Sequence, residues 1–192
     1  MTIVHYITHP DVVIDPAVPV QDWPLSDRGR ARMRAALAAP WVAGIAAVHC
    51  STERKAIDGA DILAGHLGCG FGLHPDLREN DRSATGFLPR AAFEATADLF
   101  FAHPTESIRG WERAIDAQAR VVAAVERVLS LPLRGDVAIV AHGGVGALLL
   151  CALLGEPISR RRDQPQTAAG GFRFAFDAAT SGVLHGWQRI DA

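Results

Sequence analysis

The sequence has little lysine, little cysteine and no long hydrophobic run. Lys55 is the only lysine among 19 basic residues, so arginine carries nearly all the positive charge. Against 21 acidic residues the formal net charge is −2, which gives no reason to expect nucleic acid or an anionic membrane as partner. The three cysteines, Cys50, Cys69 and Cys151, form no CxxC and no Cys/His ligand spacing, which excludes a disulfide framework or a zinc site. Cys50 and Cys151 lie inside apolar runs and read as small buried hydrophobes. A reducing, cytoplasmic setting is expected. The opening MTIVHYITHP lacks the basic-then-apolar pattern of a signal peptide. The apolar run from Gly143 to Leu154 falls short of the roughly 20 residues of a membrane span. There are no internal repeats and no low-complexity linker.

What is present is an ordinary globular balance: 192 residues, 49% hydrophobic and 21% charged, enough for one domain over residues 1–192 with a substantial core. Short β-like runs alternate with helical patterns. Strands are expected at Thr2 to Thr8, Ile45 to Cys50, Phe71 to His74, Asp136 to Ala141, Phe172 to Phe176 and Val183 to Ile190. Helices are expected from the Ser26 cap to Ala39, from Glu53 to Leu67 with Gly68 as its stop, from Pro89 to Phe101, from Trp111 to Leu129, and from Gly143 to about Gly155. This alternation predicts a single three-layer α/β domain with a mostly parallel sheet and helices on both faces.

In such a sheet ligands sit outside the carboxyl ends of the strands. Three strand ends stand out: Thr8-His9, Cys50-Ser51 and Ala141-His142. A histidine at the first can be a nucleophile, a base, a metal ligand or a packed loop residue. His142 precedes Gly143-Gly144 at the start of an apolar helix, where close backbone approach and free N–H groups suit an anion. Ser51, Arg54 and Lys55 open another helix and suit an anion too, or simply form its solvated first turn. Glu79, in a loop after a short strand, is a carboxyl candidate for general acid work.

These pieces in order resemble the histidine phosphatase superfamily, the phosphoglycerate mutase-like group: strand–His9, then Pro24-Leu25-Ser26-Asp27-Arg28-Gly29-Arg30, then Ser51-Thr52-Glu53-Arg54-Lys55-Ala56, then Leu77-Arg78-Glu79, then Val140-Ala141-His142-Gly143-Gly144. The resemblance runs from residue 2 to about 155. It implies phosphomonoester hydrolysis in which His9 attacks phosphorus and becomes a phosphohistidine, His142 donates hydrogen bonds to the phosphoryl oxygens, and Glu79 protonates the leaving oxygen. Thr8, Ser51, Arg54, Lys55, Arg82 and Gly143 would bind substrate. No metal or other cofactor is needed. The partner would be a small phosphorylated substrate, with no nucleic acid and no membrane; a homodimer is left open.

The chain departs from the family at three places. Thr8-His9-Pro10 stands where the family carries Arg-His-Gly, so the bidentate arginine clamp is missing. Lys55 falls at the second arginine, and Asp15 falls where many members have an asparagine near the phosphate. Arg82 and the run Arg160-Arg161-Arg162 are the cations available to compensate. The alternative reading is a non-catalytic member that binds an anionic ligand or a protein partner. The two differ in whether cations converge between His9 and His142.

Overall fold

Alternating β-branched and apolar residues build six strands: β1 (Ile3–Thr8), β2 (Ile45–Cys50), β3 (Phe71–Leu73), β4 (Asp136–Ala141), β5 (Phe172–Asp177) and β6 (Val183–Arg189). They form one sheet in the order β3-β2-β4-β1-β5-β6. The first four positions run parallel, and β5 and β6 add antiparallel. The computed structural model describes residues 1–132, 134–165 and 169–192. Helices α1 (Asp27–Ala36) and α2 (Arg54–Leu67) cover one face, burying Met33, Ala60 and Leu63 against Ile7, Val48 and Val140. Helices α3 (Arg90–Ala102), α4 (Ala114–Leu129) and α5 (Gly143–Leu153) supply the other core, with Phe100, Val121, Val125 and Leu148 against Val4, Tyr6 and Ile139. The expected single three-layer α/β domain is what forms. Covered on both faces, β1 and β4 are buried almost throughout, as central parallel strands are. Among the described residues no helix is long and apolar enough to cross a membrane.

Two helix boundaries differ from the sequence reading by three residues, each for a backbone reason. α1 stops at Ala36 rather than Ala39, because Ala39 precedes Pro40 and is held extended at ψ 142°. α4 starts at Ala114 rather than Trp111, because Arg109 and Gly110 both have left-handed φ and Arg113 is extended. Trp111 instead packs beneath α3, and its indole N–H donates to Thr85 Oγ1 at 2.8 Å.

The Leu25-Ser26-x-x-Gly29 segment is a fastening device. Ser26 caps α1 by accepting from the Gly29 N–H, and its own N–H donates to the Asp11 carbonyl at 2.9 Å. A Cβ on Gly29 would stand 2.1 Å from that same carbonyl oxygen, so no side chain fits. One turn later Arg32, 8% exposed, donates to the carboxylates of Asp11 and Asp191, both at 2.9 Å, and to the carbonyls of Gly170 and Gly171. One guanidinium thus binds the loop after β1 to the chain that flanks β5 and follows β6.

Removing it would leave Asp11 with only the exposed Arg28 and Asp191 with only Arg189, and would strip the Gly170 and Gly171 carbonyls of their buried donor. Arg32→Ala is expected to lower unfolding stability by roughly 3 kcal/mol. Arg28→Ala, at a side chain 75% exposed, should stay within about 0.5 kcal/mol. Urea titration of both variants checks this; equal midpoints would refute the role of Arg32.

Candidate active site

β1 and β4 pair with Thr8 opposite Ala141, and the His9 N–H continues the ladder to the Ala141 carbonyl at 3.1 Å. The residue after each is a histidine. Their rings meet edge to face, with centroids 5.3 Å apart. The His9 Nδ1–H faces the Pro10 carbonyl at 2.9 Å. A carbonyl only accepts, so the proton resides on Nδ1 and the Nε2 lone pair is left bare. Burial, with Lys55 and Arg82 nearby, pushes the His9 imidazole down to about 4 against the opposing Pro10 carbonyl. It is neutral at physiological pH.

His142 is fully buried. Ser51 Oγ lies 2.6 Å from its Nε2 and accepts from the Glu53 N–H at 3.3 Å, and its hydroxyl can donate to the ring. In that tautomer the imidazole proton sits on Nδ1, which has no protein partner among the described residues. Burial lowers His142 to about 4 as well, with Glu53 opposing and His9 and Lys55 assisting. The Tyr6 hydroxyl donates to the His142 carbonyl at 3.1 Å and fixes the turn from below.

Beside His9 lies a cavity of about 180 Å³ with two unlike walls. Glu79, Arg82, Gly143, Gly144, Asp163 and Gln164 form the polar wall. Phe93, Phe100, Phe101 and Trp111 form the apolar one. A wider cleft of about 480 Å³ adjoins it across Glu79, Asn80 and Arg82. The Arg82 guanidinium rests over Phe93 and Trp111, 5.1 and 5.6 Å from their centres. No described carboxylate lies within ion-pair distance of it. Glu79 is an acceptor: its oxygens take the N–H groups of Gly144 at 3.0 Å, Val145 at 2.9 Å and Asn80 at 3.1 Å. Among the described residues no cluster of three His, Cys, Asp or Glu side chains could hold a metal ion.

A family model for the histidine phosphatase superfamily, branch 1, matches residues 17–186. The chain belongs to the histidine phosphatase superfamily. The match begins beyond His9, so the altered Thr8-His9-Pro10 segment lies outside it and is placed by the fold. Similar solved structures include a mycobacterial glucosyl-3-phosphoglycerate phosphatase with inorganic phosphate, at 22% identity, TM-score 0.77 and full coverage of both chains. Bacillus stearothermophilus YhfR matches at 22% identity and TM-score 0.75, covering 100% of this chain and 98% of that one. A putative α-ribazole-5′-P phosphatase from Escherichia coli K-12 matches at 17% and 0.77, covering 99% and 98%. No curated protein sequence matches this chain.

Within this superfamily member, the structure brings His9, His142, Glu79, Ser51, Arg82 and Gly143 together. Thr8 is buried at the same place, but its hydroxyl turns to Gln164 Oε1 at 2.8 Å and to the backbone of Phe172. Lys55 is buried and close, with Nζ on Glu53 Oε2 at 2.5 Å and the Val20 carbonyl at 2.7 Å. Arg54 is not part of the site: its side chain is 59% exposed and pairs with Asp58 at 2.8 Å. One step along α2 turns a side chain by about 100°, and only Lys55 faces inward. Asp15 is exposed too, and its carboxylate takes the Ala17 N–H. Of the arginine run, Arg160 lines the cavity yet is held by Glu94 and Asp98, and Arg162 pairs with Glu156. Trp23 and Trp187 both pack internally, Trp23 on Phe87 and Trp187 on Tyr6 and Phe174.

Sequence reasoning missed three residues. Glu53 accepts the Glu79 N–H at 2.9 Å and lies 3.5 Å from His142 Nε2. Gln164 aims its amide at Gly143, where an added Cβ would come within 2.5 Å of Nε2. Asp163 is a second carboxyl in the cavity wall. Glu53 lay inside a quoted motif; the other two sit in a loop with no local signal.

Both histidines titrate near 6.5 in an unfolded chain and near 4 here, so the unfolded state binds more protons between those values. Stability therefore rises with pH through that window and falls on acidification. The melting temperature should drop from pH 7 to pH 5, and the ring C–H resonances of His9 and His142 should not titrate above about pH 5. Resonances moving near pH 6.5 would refute neutral burial.

Proposed function

We propose that this protein hydrolyses small phosphomonoesters through a phosphohistidine on His9. The observation that supports it is the histidine pair itself. His9 lines the cavity and has a bare Nε2, and the buried His142 ring packs against it with an Nδ1 that has no protein partner among the described residues. His9 Nε2 attacks phosphorus, and the P–N bond forms as the ester P–O bond breaks. His142 donates Nδ1–H to a phosphoryl oxygen whose charge grows, and Arg82 with the Gly143 amide adds to that stabilisation. Ser51 keeps His142 in the donating tautomer. Gln164 supplies a neutral amide donor at the place of the absent arginine. Glu79, in the wall of the same cavity, gives the departing oxygen its proton and then takes one from the water that cleaves the P–N bond and releases phosphate. No step calls on a metal or other cofactor.

The names of two structural neighbours, phosphatases acting on glucosyl-3-phosphoglycerate and α-ribazole-5′-P, favour a phosphoester of a small polar alcohol. The adjoining cleft, with Arg78, Asp81 and Ser83 in its wall, suits such a leaving group. Three free cysteines accord with a cytoplasmic location.

Glu79 seated on the α5 amides, and Lys55 tied to Glu53, favour the second reading, an anion-binding member without turnover. The test separates them. Wild type should hydrolyse 4-nitrophenyl phosphate and yield an acid-labile, alkali-stable phosphoenzyme. His9→Ala should lose at least roughly 10³-fold in turnover with unchanged circular dichroism. Equal turnover in both removes the nucleophile assignment; vanadate binding without turnover of any ester selects the second reading. Gln164→Ala should weaken phosphate binding by roughly 10-fold, measured by calorimetry, and unchanged affinity would remove its clamp role.

A further inference from the structure

Toward the other end of the same strands lies a further cavity, of about 400 Å³. His5 and Asp136 in its wall stand near the starts of β1 and β4, the strands whose far ends lead into His9 and His142. About 13 Å of strand separates His5 from His9. Antiparallel pairing sets Arg173 of β5 opposite Ile7, so its side chain leaves the sheet on the same face as His5. Trp41, in the 3-10 turn Pro40–Val42 that follows α1, completes the wall. The hydrolytic reading uses none of these side chains.

Arg173 is half-buried and has no acid for a partner. Its guanidinium lies over the Trp41 ring, 4.9 Å from the centre. Nη1 donates to His185 Nε2 at 2.7 Å and Nη2 to Gln188 Oε1 at 3.1 Å, both uncharged acceptors. Nε is shut off from bulk water and meets no acceptor among the described residues. No described carboxylate lies within ion-pair distance of Arg173. Arg32 and Arg120, also drawn into the fold, each meet a carboxylate. Burial disfavours the charge on Arg173, yet a guanidinium keeps it, so an anion is what relieves the cost.

His5 repeats the pattern. Its side chain is 5% exposed, and neither ring nitrogen has a hydrogen-bond partner among the described residues. Nε2 stands 3.9 Å from Asp136 Oδ2, beyond hydrogen-bond reach. Asp136 is engaged elsewhere, with Oδ1 accepting the Ile3 N–H at 2.8 Å. Burial holds His5 down at about 4, with Arg173 and His185 assisting and Asp136 opposing. The ring is therefore neutral and carries one N–H.

From these two unpaired groups beside one cavity we propose a second binding site, separate from the catalytic centre, for a small organic carboxylate with an apolar body. The carboxylate takes the Arg173 Nε–H and the His5 ring N–H, the donors that the fold leaves free. The body lies along Trp41 and Leu184, an apolar side chain left 46% exposed in the wall. Asp136 limits the charge of the guest. One negative charge meets Arg173, and a second, as on a phosphomonoester, meets a carboxylate.

An NMR titration at neutral pH tests this with benzoate, acetate and benzylammonium on wild type, Arg173→Gln and Arg173→Lys. Benzoate is expected to shift the His5 and His185 ring signals and the Trp41 indole N–H, to saturate with a Kd of roughly 1 mM, and to leave His9 and His142 unmoved. Acetate lacks the body and benzylammonium reverses the charge, so each should bind at least roughly 10-fold more weakly. Arg173→Gln should weaken benzoate roughly 10-fold, and Arg173→Lys, which keeps the charge but loses the Nε donor, roughly threefold. Three results on wild type overturn the site, whether or not either variant folds: shifts confined to His9 and His142, no saturable shift, or benzylammonium binding as tightly as benzoate. Unchanged benzoate affinity in folded Arg173→Gln overturns it as well.

Discussion

Parallel pairing of β1 with β4 sets Thr8 against Ala141, and the next residue of each strand is a histidine. Both strands are buried on two faces, so the register has no freedom: a slip of one residue would turn every side chain to the wrong core. The strands end together because a parallel ladder ends together, and their crossover connections lie outside. Two imidazoles far apart in the sequence, His9 and His142, are thereby delivered side by side into a place with little water. The low-dielectric setting keeps them neutral, which preserves a nucleophilic lone pair on one and a hydrogen-bond donor on the other.

The layers, the six strands and the two histidines were legible because each follows from period and punctuation. Gly68 stops α2 in a left-handed turn, Ser26 starts α1, and an unbroken apolar run marks β4. What stayed hidden is whatever depends on which way a polar side chain faces. Arg54 and Lys55 are neighbours in sequence, and only the packing of α2 on β2 decides that lysine goes in and arginine out. The Thr8–Gln164 bond spans 156 residues, and Asp163 reaches the cavity only because Arg160 braces its turn on α3. No spacing rule reports contacts of that kind. The Leu25-Ser26-x-x-Gly29 segment was legible as a motif, but its work was not: it clamps the loop after His9 to the start of α1.

The charge at the site is spread differently from the Arg-His-Gly pattern. Lys55 is spoken for by Glu53, Arg160 by three acids, and Arg82 stands on an aromatic floor. On the proposed reading, neutral donors do the remaining work: the His142 ring, the Gly143 amide and the Gln164 carboxamide. Such a cradle gives up Coulomb attraction but keeps direction, since each donor is locked by a named partner.

The cap on α5 has one more consequence. The helix start that would welcome a free oxyanion already holds the carboxylate of Glu79, carried on the same chain. A tethered rival of this kind competes at an effective concentration of millimolar or more. Chloride, sulfate and other loosely held solutes must evict it, and only a guest with additional contacts gains enough to do so. The protein thus carries its own doorkeeper.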